Sequence, residues 1–119
     1  MQYLLLIYAD EAGKPPPPTD PTEFKAWMAP WVDYEAELRA AKVYVAGEAL
    51  QPVATATTIT AVGASEPVLT DGPFAETREQ LGGFYMLDCK DLDEALKWGA
   101  KCPIVHFGKL EVRPIMTFG

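Results

Sequence analysis

The residues of this chain that are best suited to chemistry begin at a tight turn. Asp71 opens the run Asp71-Gly72-Pro73-Phe74, in which Pro73 keeps Gly72 out of the helical region. Functional side chains concentrate at such bends, where a carboxylate beside an aromatic ring can act as a general base or orient a polar ligand. The structural alternative is that the carboxylate accepts N–H bonds from its own turn. Asp71 is therefore the candidate catalytic residue.

Aromatic side chains form a second candidate on a helix predicted upstream. Trp31 and Tyr34 flank Pro30, which lacks the N–H that a helix interior needs and is expected to kink the helix. A ring with a polar tip suits a small organic ligand, whereas plain packing against a sheet is the alternative. For Phe24 and Trp27, which lie earlier on the same stripe, we predict core packing.

Two charged residues extend this candidate site. Glu48 follows a predicted strand end, and Arg113 lies on the last predicted strand. A guanidinium at that position can bind Glu48, Glu35 on the helix stripe, or the carboxylate of a ligand. A structural ion pair is the alternative for Arg113. We predict that Trp31, Tyr34, Glu48 and Arg113 contact the ligand.

Cysteine and histidine are too few for a metal site. Cys89 and Cys102 show no CxxC or Cys/His ligand spacing, and we expect them to be reduced, buried thiols. The only histidine, His106, is expected in a loop or an interface. The chain contains no Gly-rich phosphate loop and no nucleophile elbow. The sequence therefore predicts neither a metal nor a cofactor.

Length and charge narrow the class of protein. The 119 residues suit one domain, spanning residues 1–119, with enough chain to bury a core. A net charge of -7 without a Lys/Arg cluster argues against binding to nucleic acid or to anionic membranes. The apolar start of the chain is too short to span a bilayer and lacks a basic leader. We expect a soluble, cytoplasmic protein.

Hydrophobic periodicity predicts two helices among several strands. Asp20 and Asp91 are the expected N-caps, each with a glutamate three residues later, and the second helix covers about Leu92–Lys101. The first helix carries the apolar stripe described above, and Pro103 ends the second. Strands are predicted at Tyr3–Tyr8, Val43–Ala46, Thr55–Val62, Glu66–Thr70, Phe84–Cys89 and Leu110–Met116.

This order of elements predicts an α+β fold of the ferredoxin-like, βαββαβ type. Both helices would cover one face of an antiparallel sheet. Several strands are apolar on both sides, so the second face would expose more apolar surface than a monomer normally does. We therefore expect a homodimer in which a second copy covers that face.

Several short motifs, taken together, give the chain a family resemblance. They are Gly47-Glu48-Ala49-Leu50 with Pro52, Asp71-Gly72-Pro73-Phe74 with Ala75-Glu76, Leu81-Gly82-Gly83-Phe84-Tyr85, Leu92-Asp93-Glu94-Ala95 with Trp98, and Glu111-Val112-Arg113-Pro114. In these the chain resembles the DGPF branch of the YCII-related family over nearly its whole length. The resemblance implies a dimeric ferredoxin-like α/β barrel with a cleft beside the sheet. It implies little chemistry, although a lyase acting on substituted aromatic rings belongs to the wider family and some DGPF proteins are encoded beside alternative sigma factors.

The chain departs from the wider family at one functional position. Members of that group resemble one another in a histidine on the first helix, paired with an aspartate as a proposed acid–base dyad. Here the corresponding turn carries Met28, Trp31 and Tyr34 instead. The dyad is therefore not carried over to this chain.

Together these features predict a small-molecule-binding homodimer. Its cleft would lie between the first helix and the sheet, with Asp71 performing cofactor-independent acid–base chemistry of a lyase or isomerase kind. The alternative is a non-catalytic binding or regulatory module associated with an alternative sigma factor or a stress response.

Overall fold

The computed structural model describes all 119 residues. Its helices and strands follow in the order β1 (Gln2–Ala9), α1 (Pro21–Ala40), β2 (Tyr44–Ala49), β3 (Thr57–Thr60), β4 (Val68–Asp71), β5 (Gln80–Asp88), α2 (Leu92–Lys101) and β6 (Lys109–Pro114). Three single-turn 3₁₀ segments occupy the connections, one of them at Pro103–His106 between α2 and β6.

Four of the strands form one antiparallel sheet in the order β2-β5-β1-β6. The other two, β3 and β4, pair only with each other. Without this inserted hairpin the order is βαββαβ, which confirms the predicted α+β fold with ferredoxin-like topology. The sheet of the single chain is open and does not close into a barrel.

Both helices begin at the aspartates that the sequence identified. The Asp20 carboxylate accepts the backbone N–H groups of Thr22 and Glu23, each at 3.1 Å. The Asp91 carboxylate accepts the N–H of Glu94 at 2.9 Å. Each cap satisfies donors that the first helical turn leaves without a partner.

The core lies between the sheet and the two helices. Along β1, Tyr3 and Leu5 are buried on this side, while Leu4 and Leu6 alternate onto the other. The helices contribute small or apolar side chains that fit against the strands. The buried residues of this core are Tyr3, Leu5, Ala9, Tyr34, Leu38, Val43, Tyr85, Leu87, Cys89, Ala95, Cys102 and Ile104.

The opposite side of the sheet, which we call the open face, has no layer over it. Leu4 pairs with Met86 and Leu6 with Phe84, so the two central strands place four large apolar side chains together. These residues are only partly buried. The open face is therefore an apolar surface that the chain itself does not cover.

The N-terminal half of α1 differs from the predicted core packing. Phe24 and Trp27 are 43% and 48% exposed and pack mainly on each other, with ring centroids 5.7 Å apart. Only Tyr34 and Leu38 of this helix are buried. A 20-residue helix is about 30 Å long, and only its second half is packed into the core. The prediction for Phe24 and Trp27 was therefore wrong.

Two glycines that looked like strand boundaries lie inside strands. A β-carbon at Gly47 would come within 2.7 Å of the Tyr85 ring, and one at Gly83 within 2.7 Å of the Glu48 carbonyl oxygen. β2 continues to Ala49 and β5 begins at Gln80, so both strands are longer than predicted. Here glycine permits a close approach between neighbours and does not end the strand.

The hairpin of β3 and β4 forms what we call the arm, residues 57–71. The two strands that the sequence predicted here are present, and they pair with each other, with Ile59 opposite Leu69. Every residue from Ile59 to Asp71 is exposed. The arm is therefore separate from the main sheet.

Candidate functional site

A groove opens where three strands of the main sheet meet at one end. Asp10 follows the end of β1, Glu79 precedes β5, and Lys109 begins β6. Because β1 is antiparallel to both neighbours, these three residues lie at the same end of the sheet. The groove measures about 570 Å³ and is lined by Asp10, Arg78, Glu79, Val105, His106, Phe107, Gly108 and Lys109. We call it the strand-end groove.

A second groove of about 430 Å³ adjoins the first. It shares Glu79 and Lys109 with the strand-end groove and adds Tyr8, Leu110 and Glu111. Tyr8 and Lys109 pair across β1 and β6 on the open face. The strand-end groove therefore continues toward the open face.

The strand-end groove carries charges of both signs. Lys109 forms an ion pair with Glu79. The Asp10 carboxylate accepts the N–H of Ala12 at 3.0 Å. Arg78, by contrast, makes no ion pair or hydrogen bond within the chain, and its guanidinium is free to bind a ligand. The groove thus has one unpaired permanent cation.

Side-chain to backbone hydrogen bonds hold the connections around this groove. The N–H of Glu11 donates to the Gln80 side chain at 2.9 Å, while the Glu11 carboxylate accepts the N–H of Val53 at 3.0 Å. On the other wall, Gly108 approaches the Tyr8 carbonyl so closely that no β-carbon would fit. These contacts attach the loops on both sides of the groove to the ends of the sheet.

Aromatic rings connect the groove to α1. Phe107 meets the edge of Trp31 at a centroid distance of 6.4 Å, and Trp31 stacks on Tyr85 at 6.5 Å. The Lys14 ammonium lies 5.7 Å from the centre of the Phe107 ring. Phe107 is 56% exposed, so a ring surface at the groove stays open to a ligand.

The structure places the predicted ligand residue Tyr34 in the core. Its hydroxyl donates to the Trp98 carbonyl at 2.7 Å, and its ring meets Tyr85 edge-on at 5.4 Å. Burial raises the pKa of the Tyr34 hydroxyl well above its usual value, and the neighbouring Cys102 adds to the rise. The hydroxyl is therefore satisfied within the fold.

Glu48 and Arg113 both project on the open face, from opposite edge strands. Glu48 pairs with Phe84 on β5, and Arg113 pairs with Leu4 on β1. The Arg113 guanidinium contacts Glu111 at 2.7 Å, and this hydrogen bond is the main cause of its raised pKa. Glu48 is exposed and forms no ion pair.

Asp71 is the last residue of β4 on the arm, where it pairs with Thr57 on β3. Its backbone precedes Gly72, which has a φ of +92° and donates its N–H to the Ala56 carbonyl at 2.7 Å. The Asp71 carboxylate itself is exposed and accepts no hydrogen bond within the chain. The turn is thus held by backbone contacts, and the carboxylate is free.

Within one chain the five predicted site residues do not come together. Trp31 and Tyr34 pack on the helix side, the two charged residues lie on the open face, and Asp71 lies on the arm. None of the five lines either groove. Their predicted roles stay predictions.

The groove residues Arg78, Glu79 and Lys109 were missed by the sequence reasoning, and His106 was placed only in a loop or an interface. A usable signal was present, because Glu79 and Lys109 directly flank strand starts. The predicted starts of β5 and β6 fell after these residues, so the shared end of the sheet was not recognised.

Both cysteines of the chain are buried in the core, away from the two grooves. Cys89 and Cys102 are free and buried as predicted, and burial raises the pKa of each thiol to about 11. No group of three or more His, Cys, Asp or Glu side chains is placed to hold a metal ion. Neither helix combines the length and apolar character needed to cross a membrane.

Comparison with known proteins gives a family and no activity. A model of the YCII-related domain matches residues 1–119. An uncharacterized protein, R00369, of Rhizobium meliloti (strain 1021) is 43% identical over 82 residues, which cover 63% of this chain and 66% of that protein. The match thus spans just under two thirds of the relative's length. Because the family model covers the whole chain, this protein belongs to the YCII-related family.

Proposed function

We propose that the protein is a homodimer that binds a small organic ligand, with an aromatic ring and a carboxylate, in the strand-end groove. The observation that carries this proposal is the unpaired Arg78 beside the open Phe107 ring in a groove of about 570 Å³. Small-molecule sites commonly have volumes of about 300–1,000 Å³. The groove lies at the end of the interface between α1 and the sheet, whose interior is packed by aromatic rings.

The lining favours one carboxylate over a more highly charged ligand. A guanidinium binds a carboxylate through two parallel hydrogen bonds, and a phenyl ring prefers an apolar or aromatic neighbour. Asp10 and Glu79 lie in the same groove and disfavour additional negative charge. A small aromatic carboxylate matches both the cation and the ring.

The proposed homodimer rests on the open face. Its centre is apolar, at Leu4, Leu6, Phe84 and Met86, while charged residues lie at both edges, one on β2 and three on β6. An apolar centre with a polar rim is the usual anatomy of a protein interface. Two such faces packed together would give the dimeric α/β barrel implied by the resemblance to the DGPF branch.

Asp71 is the proposed acid–base group of this protein. Its carboxylate is exposed and not occupied by its own turn, so it is free to take a proton from a carbon acid whose electron pair moves onto an adjacent carbonyl oxygen. Phenylpyruvate is a suitable probe, and solvent deuterium incorporated at its C3 reports the proton transfer. We expect Asp71→Asn to reduce the exchange to the buffer rate and Glu66→Gln, on the same arm, to leave it unchanged. Equal exchange rates for the wild type and Asp71→Asn would contradict the role.

Binding is tested by titrating benzoate into protein labelled with nitrogen-15 and following the backbone amide chemical shifts by NMR. We expect saturable shifts centred on residues 105–109, and at least about tenfold weaker binding for Arg78→Ala, since a charge-assisted hydrogen bond contributes about 1.5–3 kcal/mol. Phe107→Ala should weaken binding through loss of the ring. The matched control is Arg39→Ala, because Arg39 is an exposed arginine that pairs with Glu35 on α1.

Two outcomes would overturn the ligand proposal. One is the absence of saturable shifts at any groove residue, and the other is equal affinity in the wild type and Arg78→Ala. Either result would favour the alternative of a non-catalytic regulatory module, which no contact in the structure specifically supports.

A further inference from the structure

The arm has no support from the rest of its own chain. The hydrogen bonds made by residues 57–71 all close within residues 56–72. An isolated two-stranded hairpin is at best marginally stable in water. The radius of gyration of 16.8 Å also exceeds the roughly 13–14 Å of a compact domain of this length. The arm therefore requires another surface to pack against.

One face of the arm carries both its apolar pair and Asp71. Ile59 and Leu69 lie directly opposite each other and are 63% and 64% exposed. Thr57 and Asp71 pair two residues further along, so they project on the same face as Ile59 and Leu69. Any surface that covers the apolar pair must therefore also meet the Asp71 carboxylate.

The charge of the arm indicates which surface this is. The arm has no basic residue, and its two charged residues, Glu66 and Asp71, are both acidic. The strand-end groove offers the unpaired Arg78 beside two exposed apolar side chains, Val105 and Phe107, which are 40% and 56% exposed. Arg78 is thus complementary in charge to Asp71, and Val105 and Phe107 match the apolar pair of the arm.

We infer that in the homodimer the arm of one copy lies across the strand-end groove of its partner and closes the open side of that groove. Ile59 and Leu69 pack toward the exposed Val105 and one side of the Phe107 ring, and the Asp71 carboxylate faces the Arg78 guanidinium across the interface. The guanidinium has five N–H donors, so it can contact Asp71 and still bind the carboxylate of the ligand. The inference rests on the homodimer of the proposed function. By two-fold symmetry both arms are exchanged, which gives two equivalent sites.

This arrangement makes each site incomplete without the second copy. The groove of one chain supplies the cation and the ring, and the partner's Asp71 supplies the carboxylate base. It also explains why a single chain does not bring Asp71 to a cavity.

Cross-linking between two different variants, each with one added exposed cysteine, tests the inference. Leu69→Cys on the arm and Val105→Cys at the groove are produced in one cell with different mass tags and treated with a short bismaleimide. Any product that carries both tags links two chains. The native thiols, Cys89 and Cys102, are buried and should not react. The control pair is Leu69→Cys with Lys97→Cys, which lies exposed on α2.

We expect at least about tenfold more doubly tagged product from the arm–groove pair than from the control pair, because a docked arm raises the local concentration to millimolar. Adding Asp71→Lys to the arm variant should lower that yield several-fold, and adding Arg78→Glu to the groove variant should restore it. Equal yields for the two pairs in a protein of dimeric mass would overturn the arm inference and leave the dimer standing. A monomeric mass would overturn both.

Discussion

The two sides of the main sheet are built from the same strands, but one side is buried under the helices and the other is uncovered. On the helix side Leu5 is fully buried and the polar Tyr34 is satisfied by a backbone carbonyl. On the open face Leu6, the next residue, lies beside Phe84 with no layer above it. Strand alternation alone creates both surfaces, so the difference depends on what covers each one.

One chain covers the helix side of its sheet but not the open face. The helix side is closed by α1 and α2, which follow β1 and β5 along the chain and pack on one side. The chain leaves three features uncovered on its own. The open face and the arm expose apolar side chains, and the Arg78 guanidinium has no acidic partner. Changes on the helix side should therefore alter the stability of each chain, while changes on the open face should alter association.

The largest effect on stability is expected from truncating Leu5, with the neighbouring Leu6 as the matched comparison. Leu5→Ala should cost about 2–5 kcal/mol in the free energy of unfolding, because it leaves a cavity in a packed core. Leu6→Ala should cost less and should do so through association, so that its cost depends on protein concentration. Urea unfolding at two protein concentrations measures both. A concentration-dependent loss for Leu5→Ala and none for Leu6→Ala would contradict the comparison.

Two adjacent glycines of β5 provide a second matched pair. Gly83→Ala should destabilise the chain by about 1–3 kcal/mol through overpacking, because its β-carbon would come within 2.7 Å of the rigid Glu48 carbonyl. Gly82→Ala should be nearly neutral, since its β-carbon would lie 4.0 Å from the nearest atom, the Ile7 carbonyl oxygen. Thermal melts of the two variants compare them, and equal losses would show that the close approach at Gly83 is unimportant.

The buried thiol of Cys102 makes the helix side sensitive to alkaline pH. The pKa of this thiol is about 11 in the folded chain, against 9.0 for an ordinary cysteine thiol, so the unfolded state loses its proton first as the pH rises. Stability from this group is therefore complete below pH 9 and is lost between pH 9 and 11, by as much as about 2 kcal/mol at 1.36 kcal/mol for each pH unit. Unfolding measured against pH should show this fall, with a shallower slope for Cys102→Ala. The same dependence of stability on pH in the wild type and in Cys102→Ala would contradict the attribution of this loss to Cys102.

Removal of a single hydroxyl should give the smallest effect. Tyr34→Phe keeps the ring that packs on Tyr85 but leaves the Trp98 carbonyl without its donor, at a cost of about 1 kcal/mol. The matched control is Tyr44→Phe, because the Tyr44 hydroxyl makes no hydrogen bond in the chain, and its ring contact with Arg39 is retained. Urea midpoints compare the two variants. A larger loss for Tyr44→Phe would contradict the account of Tyr34.

Local signals in the sequence predicted the elements better than the site. Asp20 and Asp91 begin their helices as expected because capping depends on only a few neighbouring residues. The exposure of Phe24 and Trp27 could not be predicted, since it depends on where the sheet ends beneath the helix. The groove was missed for a different reason, because β5 and β6 start earlier in the chain than predicted and the meeting of Glu79 and Lys109 at one end of the sheet was not recognised.

The mass of the protein in solution tests the central claim most directly, namely that a second copy covers the open face. The chain has a mass of 13.0 kDa. At micromolar concentration, sedimentation equilibrium should give twice that mass for the wild type and a single-chain mass for Phe84→Glu, which buries a carboxylate at the interface. The control Lys97→Glu, on the exposed side of α2, should remain dimeric. A single-chain mass for the wild type at every concentration tested would contradict the account.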